Sequence, residues 1–256
     1  MAGARIGPTW FGITRRKISS MTTNTRSQHL IFDADDTLWE NNIHFERAIE
    51  DFLDFLDHST LTREEARTVL DEIEQANFGV HGYGSAAFTR NLRLCYEHLA
   101  EREIAEDDLR TVMTFGERIL SQPIELIDGV EETLALLAER HDLTLMTKGH
   151  PEEQRMKIDR SGLGNYFRHA TVVPEKDAAA YHSLVAQLQV DPARTWMIGN
   201  SPKSDINPAL AVGLNAVFIP HHATWRLERQ DLNGDGGPGR LLVLERFRDL
   251  STHFLD

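Results

Sequence analysis

From His29 onward, short apolar runs rich in Val, Ile and Leu alternate with longer amphipathic segments, and nothing else in the chain restricts its fold as strongly. That rhythm belongs to parallel strands joined by crossover helices. The candidate strands are Leu30–Phe32, Leu143–Thr147, Ala170–Val173, Thr195–Gly199 and Ala216–Ile219. Four of them end in a polar residue or a glycine-containing turn, where open parallel sheets place their chemistry. The expected fold is therefore α/β, a doubly wound parallel sheet with helices on both faces.

One interval breaks the rhythm, because no convincing strand lies between Phe32 and Leu143. Phe45, Ile49, Phe52, Leu53 and Leu56 fall at helical spacing, as do Phe88, Leu92, Cys95, Tyr96 and Leu99; Leu109, Val112 and Met113 begin another stripe. Thr62 and Glu65 form a plausible capping box. The sequence thus predicts a helical subdomain over residues 42–122, with Pro123 near its exit, inserted into a core made of residues 29–41 and 123–256.

Composition narrows the function. With 256 residues, 41% hydrophobic and 26% charged, the chain is long enough for an α/β domain plus an insertion. No run approaches the roughly 18 apolar residues of a membrane span. The single cysteine, Cys95, excludes an internal disulfide and a thiolate cluster, so a reducing, cytoplasmic setting is expected. The net charge is −13, and residues 1–28 hold five cations (Arg5, Arg15, Arg16, Lys17, Arg26) and no acid, which leaves the remainder more acidic still. Such a body repels phosphate backbones and argues against nucleic-acid partners. Residues 1–28 read as a disordered leader, with a transit segment or a start at Met21 as alternatives. The run from Asp231 through Asn233, Asp235 and Gly236 resembles the start of a calcium loop, but Leu242 stands where the bidentate glutamate belongs, so it reads as a surface loop.

Asp33 and Asp35 lie two residues apart at the end of the first strand, which alternation places on one side. Paired carboxylates repel unless a cation or proton sits between them, and a hard cation such as Mg²⁺ suits them. The same residues also fit a plain acidic turn capped by Asp36 or Thr37.

The motif Asp33-Ala34-Asp35-Asp36-Thr37 after a hydrophobic strand resembles the first motif of the haloacid dehalogenase superfamily. The resemblance implies a Rossmann-like core with a helical cap after that motif. It makes Asp33 the nucleophile that forms an aspartyl-phosphate and Asp35 the general acid and base. Thr147, Lys148 and Gly149 match the family's phosphate-binding turn. Lys176, in the turn after the third strand, matches the lysine that offsets charge on the nucleophile. Asp205 and Asn200, in the run from Gly199 to Asp205, match the metal-binding motif, alongside Asp33 and the backbone carbonyl of Asp35. Asn200 departs from the family's usual acid there and brings an oxygen without charge. Taken singly, a lysine in a turn is a solvated residue and a Thr-Lys-Gly sequence an ordinary turn.

The implied activity is a Mg²⁺-dependent phosphatase acting on a small phosphorylated metabolite. A haloacid dehalogenase, or a silent phospho-ligand-binding relative, are the alternatives. Asp35 counts against dehalogenation, in which no alkoxide leaves. Gly79–Ser85 is expected to face the substrate. His221 and His222, with no carboxylate or cysteine at ligand spacing, are expected to line a loop mouth, and Trp39 and His44 to shape the entrance.

Overall fold

Six parallel strands and one antiparallel edge strand form a single sheet in the computed structural model, which describes residues 9–12, 27–234 and 237–255. In chain order they are β1 (Thr9–Gly12), β2 (His29–Phe32), β3 (Asp142–Lys148), β4 (His169–Val173), β5 (Thr195–Gly199), β6 (Asn215–Phe218) and β7 (Leu241–Val243). Their spatial order is β1-β4-β3-β2-β5-β6-β7. The direction of winding reverses at β2, with β3 in register on one side and β5 on the other. An open α/β sheet forms its crevice at such a switch point, beyond the carboxyl ends of the strands.

The chain divides into two compact units: residues 41–123, and the described residues up to Glu40 together with those from Ile124 onward. The first contains α1 (Asn42–Leu56), α2 (Arg63–His81), α3 (Ser85–Leu99) and α4 (Glu106–Glu117). Phe52, Leu70, Leu92, Cys95, Tyr96 and Val112 close its core, one stripe per helix at the spacing an amphipathic helix requires. Thr62 caps α2 by accepting from the Glu65 N–H while Glu65 Oε2 accepts from the Thr62 N–H at 2.8 Å. Buried Arg67 joins α2 to α1 through Glu46 at 2.7 Å. Of the Gly79–Ser85 stretch, Gly79–His81 end α2, Ser85 begins α3 and residues 82–84 form the turn: Gly82 and Gly84 take φ of 67° and 109°, and the Phe78 and Tyr83 rings stack at 4.8 Å.

In the sheet unit α5 (Val130–Arg140), α6 (Pro151–Ser161), α7 (Ala178–Leu188), α8 (Asn207–Ala211) and α9 (Leu250–Phe254) follow. Strand alternation sorts the side chains. Leu30, Phe32, Leu143, Leu145, Trp196 and Ile198 pack on one face with Leu134 and Leu137 of α5, whereas Ile31, Met146 and Met197 pack on the other with Tyr181 and Leu184 of α7. Both faces are covered, as a parallel sheet demands. Among the described residues no helix is long and apolar enough to cross a membrane.

Two strands lie outside the sequence expectations. Thr9–Gly12 falls in the stretch read as a disordered leader, yet it pairs antiparallel with β4. Thr, Trp and Phe favour extended chain, and β4 offers an open edge to pair with. The remainder of the leader reading, residues 1–8 and 13–26, lies outside the described residues, as do Asp235 and Gly236 of the calcium-like loop. Leu241–Val243 is too short to signal itself by alternation and gains its strand state by pairing with β6.

Candidate active site

Asp33 leaves β2 with its N–H still donating to the Ile198 carbonyl of β5 at 2.9 Å, so its position is set by the sheet. The chain then turns sharply. Leu38 N–H donates to the Ala34 carbonyl, Asp36 N–H to the Trp39 carbonyl, and Asp36 adopts φ of 61°, a conformation that Asp tolerates better than most residues. Thr37 folds back so that its hydroxyl lies 3.0 Å from Asp33 Oδ2 and 3.2 Å from Asn200 Oδ1. With one proton to give, that hydroxyl serves one acceptor at a time.

The centre is a buried ammonium between two buried carboxylates. Lys176, in the turn after β4, donates to Asp33 Oδ1 and, at 2.7 Å, to Asp205 Oδ1. Asp205 comes from the wide helical turn Pro202–Ile206 after β5, and its Oδ2 accepts the Ser201 N–H at 2.9 Å. Gly199 permits that approach, since a Cβ there would collide with the Asp205 carboxyl. Burial, and then Asp33, push the Asp205 carboxyl up to about 7 against the opposing pull of Lys176. Burial lowers the Lys176 ammonium, but Asp205 and Asp33 outweigh it and leave its pKa raised. The three groups therefore hold one more negative charge than positive in a dry place.

Asn200 presents its oxygen to this cluster for a traceable reason. Thr224 donates its hydroxyl proton to the His221 carbonyl at 2.9 Å, so Thr224 Oγ1 can only accept from the Asn200 amide nitrogen at 3.0 Å. That fixes Asn200 Oδ1 on the side of Thr37 and Asp33. The fit for a hard cation is thus chemical: two carboxylates, one raised to about 7 by burial and by the other, and one amide oxygen.

Thr147, the penultimate residue of β3, is buried, and its Oγ1 has no hydrogen-bond partner. A buried hydroxyl left alone is costly, and a phosphoryl oxygen would satisfy it. Gly149 follows with φ of 144°, and a Cβ there would lie 2.8 Å from Gln154 Nε2. Lys148, expected to contact phosphate, is committed elsewhere: Nζ donates to Glu228 Oε1 at 2.7 Å and to Ser204 Oγ at 3.0 Å, with Glu175 at 3.3 Å. Burial alone would raise the Glu228 carboxyl, but Lys148, Ser201 and Ser204 hold it below the usual carboxylate range. The pair braces the turn that carries Asp205, because Glu228 Oε2 also accepts the Ser201 hydroxyl at 2.6 Å.

Asp35 shares none of Asp33's hydrogen-bond partners. Lys157 Nζ lies 2.7 Å from both of its oxygens, Gln154 Nε2 donates to Oδ2 at 2.8 Å, and Trp39 Nε1 donates to Oδ1 at 2.8 Å. Trp39, expected to shape an entrance, is wholly buried and orients a carboxylate instead. Lys157 and Gln154 are absent from the sequence-derived set. Their signal is visible in retrospect: both are polar, three residues apart on one helix face, and both are buried. Glu228, 80 residues from its partner Lys148, has no such signal.

A family model described as "Hydrolase: haloacid dehalogenase-like hydrolase" matches residues 28–213. No curated protein matches the chain. Among solved structures, a haloacid dehalogenase-like family hydrolase from Xanthomonas campestris is similar at 29% identity and TM-score 0.73, over 89% of this chain and 94% of that one. A HAD-hydrolase from Bacillus subtilis bound to magnesium aligns at 18% identity and TM-score 0.61, over 90% and 100%. The L-2-haloacid dehalogenase from Xanthobacter autotrophicus, with chloropropionic acid covalently bound, aligns at 13% and 0.59, over 88% and 97%.

Proposed function

Because this chain belongs to the haloacid dehalogenase-like hydrolases, we propose that it is a Mg²⁺-dependent phosphatase of small phosphorylated metabolites, working through an aspartyl-phosphate on Asp33. The observation that carries this reading is the buried Asp33–Lys176–Asp205 cluster at the sheet's switch point. Asp33, Asp205, Asn200 and the Asp35 carbonyl would hold Mg²⁺, which when bound neutralises the developing phosphoryl charge. A HAD-hydrolase of this fold from Bacillus subtilis is bound to magnesium, which supports the choice of cation.

In this reading an Asp33 carboxylate oxygen attacks phosphorus, forming an O–P bond as the bond to the substrate's alkoxide breaks. Asp35 gives the alkoxide its proton. Asp35 then takes a proton from water, whose oxygen attacks the same phosphorus and returns Asp33 as a carboxylate with release of phosphate. Lys176 stabilises charge on Asp33 and on the transferred group, and Thr147 donates its hydroxyl to a phosphoryl oxygen. Lys157, Gln154 and Trp39 aim Asp35. Lys148 acts at one remove by bracing the Ser201–Asp205 turn through Glu228. The helical unit, residues 41–123, is proposed as the cap that supplies substrate contacts.

Asn200 in an acid's place and the Lys157 pairing of Asp35 favour a second reading, dehalogenation, in which Asp33 displaces halide from carbon and the halide leaves without a proton. One experiment separates the two. Release of phosphate from a panel of phosphorylated metabolites and an aryl phosphate, with and without Mg²⁺, is measured beside halide release from 2-haloacids, with Asp33→Asn as control. Mg²⁺-dependent phosphate release, lost in Asp33→Asn, is expected. Halide release alone selects dehalogenation, and silence from folded protein on both panels leaves a binding role.

A further inference from the structure

We propose that Glu40, His221 and His222 form a second cation site, chemically unlike the oxygen cluster around Asp33, that takes a borderline-soft divalent transition metal such as Zn²⁺. The two histidines carry no carboxylate at ligand spacing in the sequence. The fold supplies one from 181 residues away. One ligand atom from each of the three residues lies within 4.8 Å of the others. All three belong to the sheet unit.

The separation of His221 from Glu40 suits two ligands of one metal as well as it suits a hydrogen bond. His221 Nε2 sits 3.3 Å from Glu40 Oε1 and 3.2 Å from Oε2, longer than the roughly 2.7–2.9 Å of a charge-assisted contact. Ligands held about 2.0–2.1 Å from a tetrahedral Zn²⁺ stand about 3.3 Å from one another. Glu40 Oε2 is buried against His221 Nε2, so this oxygen is withheld from water beside the nitrogen that would share the metal.

The supports around the three residues also suit a metal. Glu40 is anchored by its N–H to the Glu125 carbonyl at 2.9 Å. His221 keeps only 10% of its side chain exposed, with Nδ1 3.3 Å from the Ala223 N–H and 3.8 Å from Asp36 Oδ1. Nδ1 accepts the Ala223 N–H here; with metal on Nε2 the imidazole proton would sit on Nδ1, which would give up that contact and turn to Asp36 Oδ1, the carboxylate–histidine–metal relation common behind such ligands. The His222 ring, 4.5 Å from that of His221, is exposed and can swing onto a shared ion. Two imidazoles and one carboxylate leave a fourth position open for water or another ligand. Nitrogen donors select Zn²⁺, Co²⁺ or Ni²⁺ over Mg²⁺, which prefers oxygen alone. A filled site would tie Glu40, the last residue before the chain enters its helical unit, to the loop after β6.

The test uses the full chain, stripped with a chelator and titrated by calorimetry with Zn²⁺ alone in the presence of excess Mg²⁺; Co²⁺ serves as a second, coloured probe. One Zn²⁺ per chain is expected, with the intense visible absorption of four-coordinate Co²⁺. Affinity should fall about 10- to 100-fold in His222→Ala and Glu40→Gln. It should persist in Asp33→Asn, and in His58→Ala, which removes a histidine paired to Glu101 in the helical unit. Absence of Zn²⁺ binding, unchanged affinity in His222→Ala, or loss of binding in Asp33→Asn would overturn the proposal. If Glu40→Gln fails to fold, His222→Ala decides, because that side chain is exposed and the metal-free melting temperature reports its fold. The outcome is independent of whether the enzyme is a phosphatase.

Discussion

Replacing Lys176 by Met keeps the length of the side chain and removes the ammonium that lies between Asp33 and Asp205. The Lys176 side chain is 2% exposed, that of Asp205 1% and that of Asp33 10%, so water does little to screen the two carboxylates left facing each other. Removing one partner of a buried ion pair costs about 3–5 kcal/mol. The cost depends on pH with a definite sign. Asp205 already sits at about 7 in the folded protein against an ordinary 3.8, with burial and Asp33 as the causes, and losing Lys176 moves it higher. A carboxyl whose folded pKa is raised binds its proton more tightly when folded; its stability contribution is complete below the unfolded value and is lost as pH climbs through the folded one. Up to about pH 7 Asp205 is protonated in both folded proteins and their stabilities fall in parallel; above it the parent levels off while the variant goes on losing up to about 1.4 kcal/mol per pH unit, so the gap between Lys176→Met and the parent should be constant from about pH 5 to 7 and wider by about 1 kcal/mol near pH 8. Urea unfolding followed by tryptophan fluorescence reads this directly, because Trp10, Trp39, Trp196 and Trp225 all belong to the sheet unit. A loss below about 1 kcal/mol at the higher pH, or an equal loss at both, would refute the picture of an ammonium compensating two buried carboxylates.

Thr147→Val removes a buried hydroxyl that has no partner, so it should raise stability by about 1 kcal/mol while weakening inhibition by phosphate about tenfold. Calorimetric melting and an inhibition constant check the two halves, and a destabilised variant with unchanged phosphate affinity contradicts them. Lys157→Met should lower kcat by about 10- to 100-fold and change its pH profile with little effect on KM, with Lys157→Arg restoring part of the rate; an unchanged profile would remove Lys157 from aiming Asp35. Cys95, fully buried with its thiol pushed up to about 12 by burial and then by Glu74, should resist a disulfide reagent in the native protein and react once the helical unit opens in urea. Rapid native reaction counted by absorbance would contradict that burial.

The strands of the sheet could be read because each is a local signal: Leu30–Phe32 and Thr195–Gly199 are apolar runs with chemistry at their tips. The same locality explains Asp33, Lys176 and Asp205, which sit at such tips and which the fold joins in one cluster. What escaped notice depends on pairs distant in sequence. Lys157 meets Asp35 across 122 residues and Glu228 meets Lys148 across 80, and neither residue type is marked by its neighbours. Lys148 stands at a strand tip as Thr147 does, yet a buried glutamate claims it, a competition invisible without the fold. The position of Trp39 after the first motif suggests an entrance, whereas its indole N–H serves the Asp35 carboxylate four residues before it. β1 and β7 are strands by virtue of an open edge to pair with, a property of the sheet more than of their own residues.

The placement of β2 at the middle of the sheet governs the order in which this protein can be completed as it is made. His29 pairs with Asp142 on one side and with Thr195 on the other, so the first strand of the parallel sheet to be synthesised is flanked only after most of the chain has emerged. Closing loops of that length is slow compared with forming helices, and residues 41–123 contain no strand that must wait for later sequence. The helical unit can therefore gain structure while Asp33 still lacks both Lys176 and Asp205. Until β3 docks the nascent chain exposes both edges of an apolar strand, Leu30, Ile31 and Phe32, and until β5 docks one edge stays bare, the kind of surface that chaperones recognise and that aggregates form upon.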